Sequence, residues 1–196
     1  MAIDVKIITQ LRELTGAGLV DCQQALTEAQ GDITKATEIL RKKGAIKAAK
    51  KTSERTAGEG LVESYIHSNG KVGVLIEVRC ETDFVARNES FKALAHNLAM
   101  QVAGANPLYV KPEDVPAAVI AKEKEVYAGQ LKTEGKPEAM RPKIIEGKIK
   151  KYYQENCLMQ QSFIKDDSLT IAALVEQSIS QLGEKIEVTK FVRYQI

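Results

Sequence analysis

Apolar residues recur at every second position from Val72 to Cys80. Val72, Val74, Ile76, Val78 and Cys80 fall on one side, Glu77 and Arg79 on the other. That period of two predicts a strand with one face buried. A partner strand is expected from Leu61 to His67, and Ser68-Asn69-Gly70 between them holds an Asn-Gly pair whose tolerance of positive φ suits a tight hairpin turn. Beyond Cys80 the period changes. Phe91, Leu94, Ala95, Leu98, Ala99 and Val102 recur at helical spacing, which predicts a helix from about Ser90 to Ala103, ended by Gly104-Ala105-Asn106-Pro107.

Before the hairpin the pattern is helical. Asp4 is placed to cap a helix with Ile7, Ile8, Leu11 and Leu14 on one side, and Thr15-Gly16-Ala17-Gly18 ends it and turns the chain. Leu19, Cys22, Leu26 and Ala29 form the stripe of a second helix, stopped by Gly31. Asp32 caps a third, with Ile33, Ala36, Ile39 and Leu40 inward and Arg41, Lys42 and Lys43 at the negative end of its dipole. Gly44 is expected to close this unit, a bundle small enough to need support from elsewhere. The segment 45–57 reads as a basic connector carrying Lys47, Lys50, Lys51 and Arg55 against Glu54. It is either a solvated linker or a nucleic-acid contact, but no aromatic residue is interleaved to stack on bases.

After the sheet, residues 112–155 change in texture. Val115, Val119, Ile120, Val126 and Leu131 are sparse among Lys122, Glu123, Lys124 and Glu125; Glu134-Gly135-Lys136-Pro137 interrupts; Ile144, Ile145, Ile149 and Tyr152 resume. Two antiparallel helices joined at a projecting tip fit this pattern, with Pro142 delaying the second until near Arg141. Gln161 to Ile164 is expected to be extended, Leu169 to Leu182 helical, and Ile186 to Tyr194 a third strand in which Lys190 marks a bulge or an edge. The fold class is therefore α+β: a three-helix bundle over residues 1–44, then a core over 58–196 with a small antiparallel sheet of about three strands covered by helices.

Composition narrows the function classes. With 196 residues, 44% of them hydrophobic and 28% charged, the chain is expected to be soluble and globular. A formal charge of +2 does not demand nucleic acid or an anionic membrane. No apolar run is long enough to span a bilayer, and the start lacks a basic segment followed by an apolar one, so a cytoplasmic location is expected and no membrane partner. Cys22, Cys80 and Cys157 are odd in number and widely spaced, which argues for small buried hydrophobes over a disulfide framework or a metal site. His67 and His96 are the whole imidazole supply, and no acid or second ligand sits at a useful spacing from His96.

Enzyme motifs fall short. Cys80 and Arg87 are one residue too far apart for a Cys-based phosphatase loop, and the stretch from Gly129 to Gly135-Lys136-Pro137 is one residue too long for a P-loop, with Pro where the magnesium-binding hydroxyl belongs. GxSxG, HExxH and dinucleotide GxGxxG are not present. The chain is expected to be no enzyme and to need no cofactor or metal.

What remains is the junction Cys80-Glu81-Thr82-Asp83-Phe84-Val85-Ala86-Arg87-Asn88, between strand and helix. Thr82 or Asp83 is suited to cap a helix starting there, and Asn88 or Ser90 one starting later. Phe84 stands on the part most open to water. It is either the plug that closes one end of the core or a ring kept for a partner; left in water it forgoes roughly 1.5–3 kcal/mol of burial.

Thr82-Asp83-Phe84-Val85-Ala86-Arg87-Asn88 after an apolar strand resembles the signature of the bacterial translation elongation factor Ts family. The string Leu11-Arg12-Glu13-Leu14-Thr15-Gly16-Ala17-Gly18-Leu19-Val20-Asp21-Cys22, with Ala25-Leu26 and Gly31-Asp32, is similar to the same family's amino-terminal domain. Three-helix units of this kind also resemble ubiquitin-associated domains. The match covers nearly the whole chain. It implies a guanine nucleotide exchange factor that binds elongation factor Tu, in its GDP-bound and nucleotide-free states, and promotes GDP release during translation elongation. Thr82, Asp83, Phe84 and Val85 are implied to enter the partner's G domain and disturb its magnesium and phosphate region. Leu14, Thr15, Gly16, Ala17 and Gly18 are implied to lie in the small domain that docks on that partner. With room for one core half, the chain resembles the short form, which in the family works as a homodimer, and no direct nucleic-acid contact is expected. Two departures stand out: Pro142 falls where relatives continue the projecting helix, and Gln101 where the family often has His. The competing reading is a ubiquitin-associated-type or RNA-binding interaction module built on the first bundle and its connector.

Overall fold

The structure, a computed structural model, describes residues 4–196, with residue 45 and residues 47–54 described as helix backbone alone. The predicted charge of Lys47, Lys50 and Lys51 therefore falls on side chains outside the described residues, as does the reading of the first three positions.

The chain divides into two compact units. One takes the chain up to Val62 together with Glu77–Ala95 and Ala173–Val188; the other takes Glu63–Ile76, His96–Ala172 and Thr189–Ile196.

The first unit begins with the helices α1 (Val5–Thr15), α2 (Leu19–Glu28) and α3 (Ile33–Glu54). Asp4 Oδ1 accepts from the Lys6 N–H at 3.0 Å and Asp32 Oδ1 from that of Lys35 at 3.1 Å, so both expected caps form. Gly16, at φ +66°, ends α1 by donating its N–H to Arg12 O at 2.8 Å. Ile8, Leu11, Cys22, Ala25, Leu26, Ala29, Ala36 and Leu40 make the core of the bundle. Two expectations fail here. Leu14 and Leu19, read as members of the apolar stripes, are exposed at the ends of those stripes beside the Gly16 turn. Gly44 does not end α3, which continues to Glu54. A helical glycine costs only about 1 kcal/mol, and the Ala- and Lys-rich residues after it favour the helix.

Strands β1 (Glu59–Ile66), β2 (Val72–Cys80) and β5 (Glu187–Gln195) form a sheet in the order β1-β2-β5. The turn joining the first two is as expected: Gly70, at φ +67°, donates to His67 O at 2.8 Å, and Asn69 Oδ1 accepts from the Lys71 N–H at 2.9 Å. At one end of β5 the Lys185 N–H meets Glu81 Oε1, and at the other the Ile196 N–H meets Lys71 O, so β5 runs antiparallel to β2. It is an edge strand, and Lys190 on it is exposed, as its charge suggests. Val74, Ile76, Val78 and Cys80 are buried, which is the face the alternation predicts. Gly60 has φ +148° and lies against the backbone of Val78 and Arg79, so close that a β-carbon there would stand 2.7 Å from Arg79 Cα.

Helix α5 (Glu89–Ala105) follows the single turn α4 (Asp83–Ala86). In the second unit, its last carbonyls are capped by Arg193, whose Nε and Nη2 both donate to Ala103 O at 3.2 Å. Gln101 is fully buried. Its Nε2 donates to Gln161 Oε1 and Ser162 O, and its Oε1 accepts from the Ile164 N–H. Gln101 thus makes an internal tie to β3 (Ser162–Phe163).

Helices α6 (Ala117–Thr133) and α7 (Arg141–Asn156) meet through Lys148, which donates to Gln130 Oε1 and lies over the Tyr127 ring, 5.2 Å from its centroid. A short 3-10 turn, Glu138–Met140, precedes α7, and Pro142 is accommodated in the helix's first turn, where no N–H is required. Strand β4 (Asp166–Thr170) pairs antiparallel with β3, and α8 (Ile171–Leu182) follows. The sequence reading placed the start of this helix slightly early and did not foresee β4. Among the described residues no helix is long and apolar enough to cross a membrane.

Candidate functional site

The strand-to-helix junction resolves into two helix starts separated by a single turn. Thr82, extended at φ −128° and ψ 153°, caps α4, its Oγ1 accepting from the Val85 N–H at 3.3 Å. Four residues after α4 begins, the chain turns again, and Asn88 Oδ1 accepts from the Ser90 N–H at 2.8 Å to start α5. Both alternative helix starts read from the sequence are used, with Thr82 and Asn88 as the caps in place of Asp83 and Ser90.

The four residues of this turn divide by exposure. Val85 and Ala86 are buried, while Phe84 points outward with 79% of its surface in water. The core-plug alternative for Phe84 is thereby removed: Val85 does that work, and the ring is left over. Asp83 is also solvent-facing and pairs with Arg87 at 3.0 Å, a contact between exposed groups that contributes little to stability.

A second carboxylate, unforeseen in the sequence, holds the base of the turn. Glu184, just after α8, accepts from the Glu81 N–H at 3.1 Å and the Thr82 N–H at 3.0 Å through Oε2, and from the Thr82 hydroxyl at 2.6 Å through Oε1. Glu81 reciprocates: its Oε1 accepts from the Lys185 N–H at 2.6 Å and from Arg55 Nη1 at 3.1 Å. Lys185 Nζ in turn donates to Arg55 O at 3.1 Å. The only trace of this in the sequence is Gly183-Glu184-Lys185, a helix stop followed by two charges, which names no partner.

Cys80 sits directly beneath. Burial, and secondarily the Glu184 carboxylate, push its thiol up to about 11, so at neutral pH it is a protonated, fully buried side chain and no nucleophile. Among the described residues no group of three or more His, Cys, Asp or Glu is arranged to hold a metal ion. His96 takes a surface role, with Nδ1 3.1 Å from Glu63 Oε1 and its ring edge-on to Tyr65 at 5.8 Å.

The second set of predicted residues surrounds the α1–α2 turn. Leu14, Gly16 and Gly18 are exposed, as are Leu19 and Val20 next in sequence, although Gly16 has the Gln181 side chain against it, 3.2 Å from where a β-carbon would stand. Thr15 and Ala17 are half-buried instead. Together with Leu14 they line a cleft of about 150 Å³ with Thr37, Leu40 and Gln177, and Thr15 Oγ1 donates to Leu11 O at 2.7 Å.

The junction thus presents one exposed aromatic ring on a capped single turn. The family model described as Elongation factor TS matches residues 9–196. The chain belongs to the elongation factor Ts family. It is 57% identical over 195 residues to the elongation factor Ts of Moorella thermoacetica, covering all of this chain and 94% of that one. The elongation factor Ts proteins of Fervidobacterium nodosum and Thermotoga petrophila are each 54% identical over 196 residues, covering 100% of this chain and 99% and 97% of theirs. Membership of the elongation factor Ts family makes the chain a translation elongation factor, and the sequence resemblance stands.

Proposed function

We propose that this chain is a guanine nucleotide exchange factor for elongation factor Tu. Phe84 enters the partner's G domain and disturbs its magnesium and phosphate region, with exposed Asp83 beside it as the polar anchor, while Thr82 and buried Val85 complete the segment by holding the turn in place. The observation that carries this reading is the ring of Phe84, left in water on a turn whose neighbours Val85 and Ala86 are buried. A large aromatic group at that exposure stabilises nothing in the free protein, whereas aromatic anchors dominate binding energy at interfaces.

The mechanism requires no bond to be made or broken in this chain. A protein that binds the nucleotide-free form of its partner more tightly than the GDP form must weaken GDP by the same factor, because coupling between two ligands is reciprocal. The surface around Leu14, Thr15, Gly16, Ala17 and Gly18 supplies docking energy common to both forms. The turn at Phe84 supplies the difference between them. The protein works in the cytoplasm, with no cofactor of its own.

Stopped-flow release of a fluorescent GDP from elongation factor Tu tests the reading. Added chain should accelerate release in a saturable manner; release at the spontaneous rate at every concentration would overturn it.

The chain works as a homodimer in this reading. The support is an apolar surface on the sheet, where Ile66, Leu75, Val192 and Tyr194 are all exposed in the second unit. Scattered singly these would need no explanation, but together they lie on the face that the buried alternation of β2 leaves outward. Leu75→Asp is expected to leave the fold unchanged and to shift the mass measured by light scattering from about twice the chain's 21.6 kDa to that of one chain. A wild-type mass of one chain would remove the dimer from the proposal.

A further inference from the structure

The turn bearing Phe84 is too short to hold itself. Its α-helical bonds are Ala86 N–H to Thr82 O at 3.2 Å and Arg87 N–H to Asp83 O at 3.1 Å, far fewer than a helix needs to persist alone. What fixes its first residue lies elsewhere in the chain. The Glu184 carboxylate takes two backbone N–H groups and the Thr82 hydroxyl, while the Glu81 carboxylate takes the Lys185 N–H in return. The Thr82 hydroxyl is used twice. By donating to Glu184 Oε1 it is left with its lone pairs toward the Val85 N–H, so Glu184 also sets the orientation of the helix cap.

We propose that Glu184 is a positioning residue for nucleotide exchange, holding Glu81 and Thr82 so that Phe84 is presented in its working pose before the partner arrives. The inference rests on the exchange reading above. Charge-assisted hydrogen bonds to backbone N–H groups are strong enough to choose one conformer of so short a turn. When only a fraction of molecules carries the competent pose, the apparent strength of the contact falls by that fraction. Docking through the α1–α2 surface is common to all poses and is not affected. The loss should therefore appear in the rate at saturation and not in the half-saturating concentration.

The test measures GDP release from elongation factor Tu against concentration for wild type, Glu184→Ala, Glu184→Gln, Thr82→Val, Thr82→Ser and the double variant Glu184→Ala/Thr82→Val. Glu184→Ala should lower the saturating rate about tenfold with its half-saturating concentration within about twofold of wild type. Glu184→Gln keeps one acceptor oxygen for the backbone N–H groups but turns a neutral NH2 toward the Thr82 hydroxyl, so it should recover part of the rate, and Thr82→Ser, which keeps the hydroxyl that donates to Glu184, should retain most of it. Thr82→Val should resemble Glu184→Ala, and the double variant should be little worse than either, since both break one contact. If Glu184→Ala fails to fold by circular dichroism, the Thr82 pair and Glu184→Gln carry the test alone. A Glu184→Ala protein that is folded and saturates at the wild-type rate, or a Thr82→Val protein that does so, overturns the positioning role. Wild type that leaves GDP release at its spontaneous rate overturns the exchange reading instead, and this inference with it.

Discussion

Phe84→Ala is expected to slow catalysed GDP release about a hundredfold, corresponding to the roughly 3 kcal/mol that a central aromatic anchor contributes to an interface. Stability should hardly change, because the ring is 79% exposed and touches little of its own protein. Substitutions at such surface positions usually alter unfolding free energy by no more than about 0.5 kcal/mol. The contrast between the two readouts is the point of the experiment. Urea melts followed by circular dichroism should superimpose on wild type while stopped-flow exchange collapses. Equal loss in both would mean that the ring supports its own fold, and unchanged exchange would mean that the contact lies elsewhere. Val85→Ala makes the complementary case: Val85 is buried, so its truncation belongs to stability first and to exchange only through the folded fraction.

Gly60→Ala should produce the largest loss of stability. At φ +148° an L residue is already strained, and the added β-carbon would meet Val78 O and stand 2.7 Å from Arg79 Cα. Both obstacles are backbone of a strand paired on two sides, so neither can swing away as a flexible side chain could. Strain and overpacking together should cost about 3 kcal/mol or more, which lowers a urea midpoint by more than about 1 M. Gly58→Ala is the control, since a β-carbon there meets nothing within 4 Å. Matching midpoints for the two variants would show that β1 and β2 do not approach as closely at Gly60 as the structure has them.

How much of this was readable in the sequence depends on how local its cause is. The β1–β2 turn, the caps at Asp4, Asp32, Thr82 and Asn88, and the start of α7 at Arg141 all follow from residues within a few positions of one another. Leu14 and Leu19 were misread because periodicity identifies a stripe without saying what covers its ends. Gly44 misled for a related reason: one unfavourable residue does not outweigh the ten helical positions that follow it. Strand β4, Asp-Asp-Ser-Leu-Thr, has a turn-like composition and becomes a strand only by pairing with β3. The site shows the same divide. Phe84 was legible, since a ring in a polar junction is conspicuous, but which way it pointed was not. Glu184 was invisible, as its oxygens meet Thr82 from 102 positions away.

The three thiols have a use that their chemistry alone would not suggest. Cys22 lies in the core of the helical bundle, Cys80 beneath the Phe84 turn and Cys157 just past the end of α7, and all are free and buried, with burial raising each above the ordinary thiol range. A maleimide or disulfide reagent can label such a group only while its surroundings are transiently open. The molecule thus carries native clocks in three separate places, and the order in which they are tagged would read out which part breathes first.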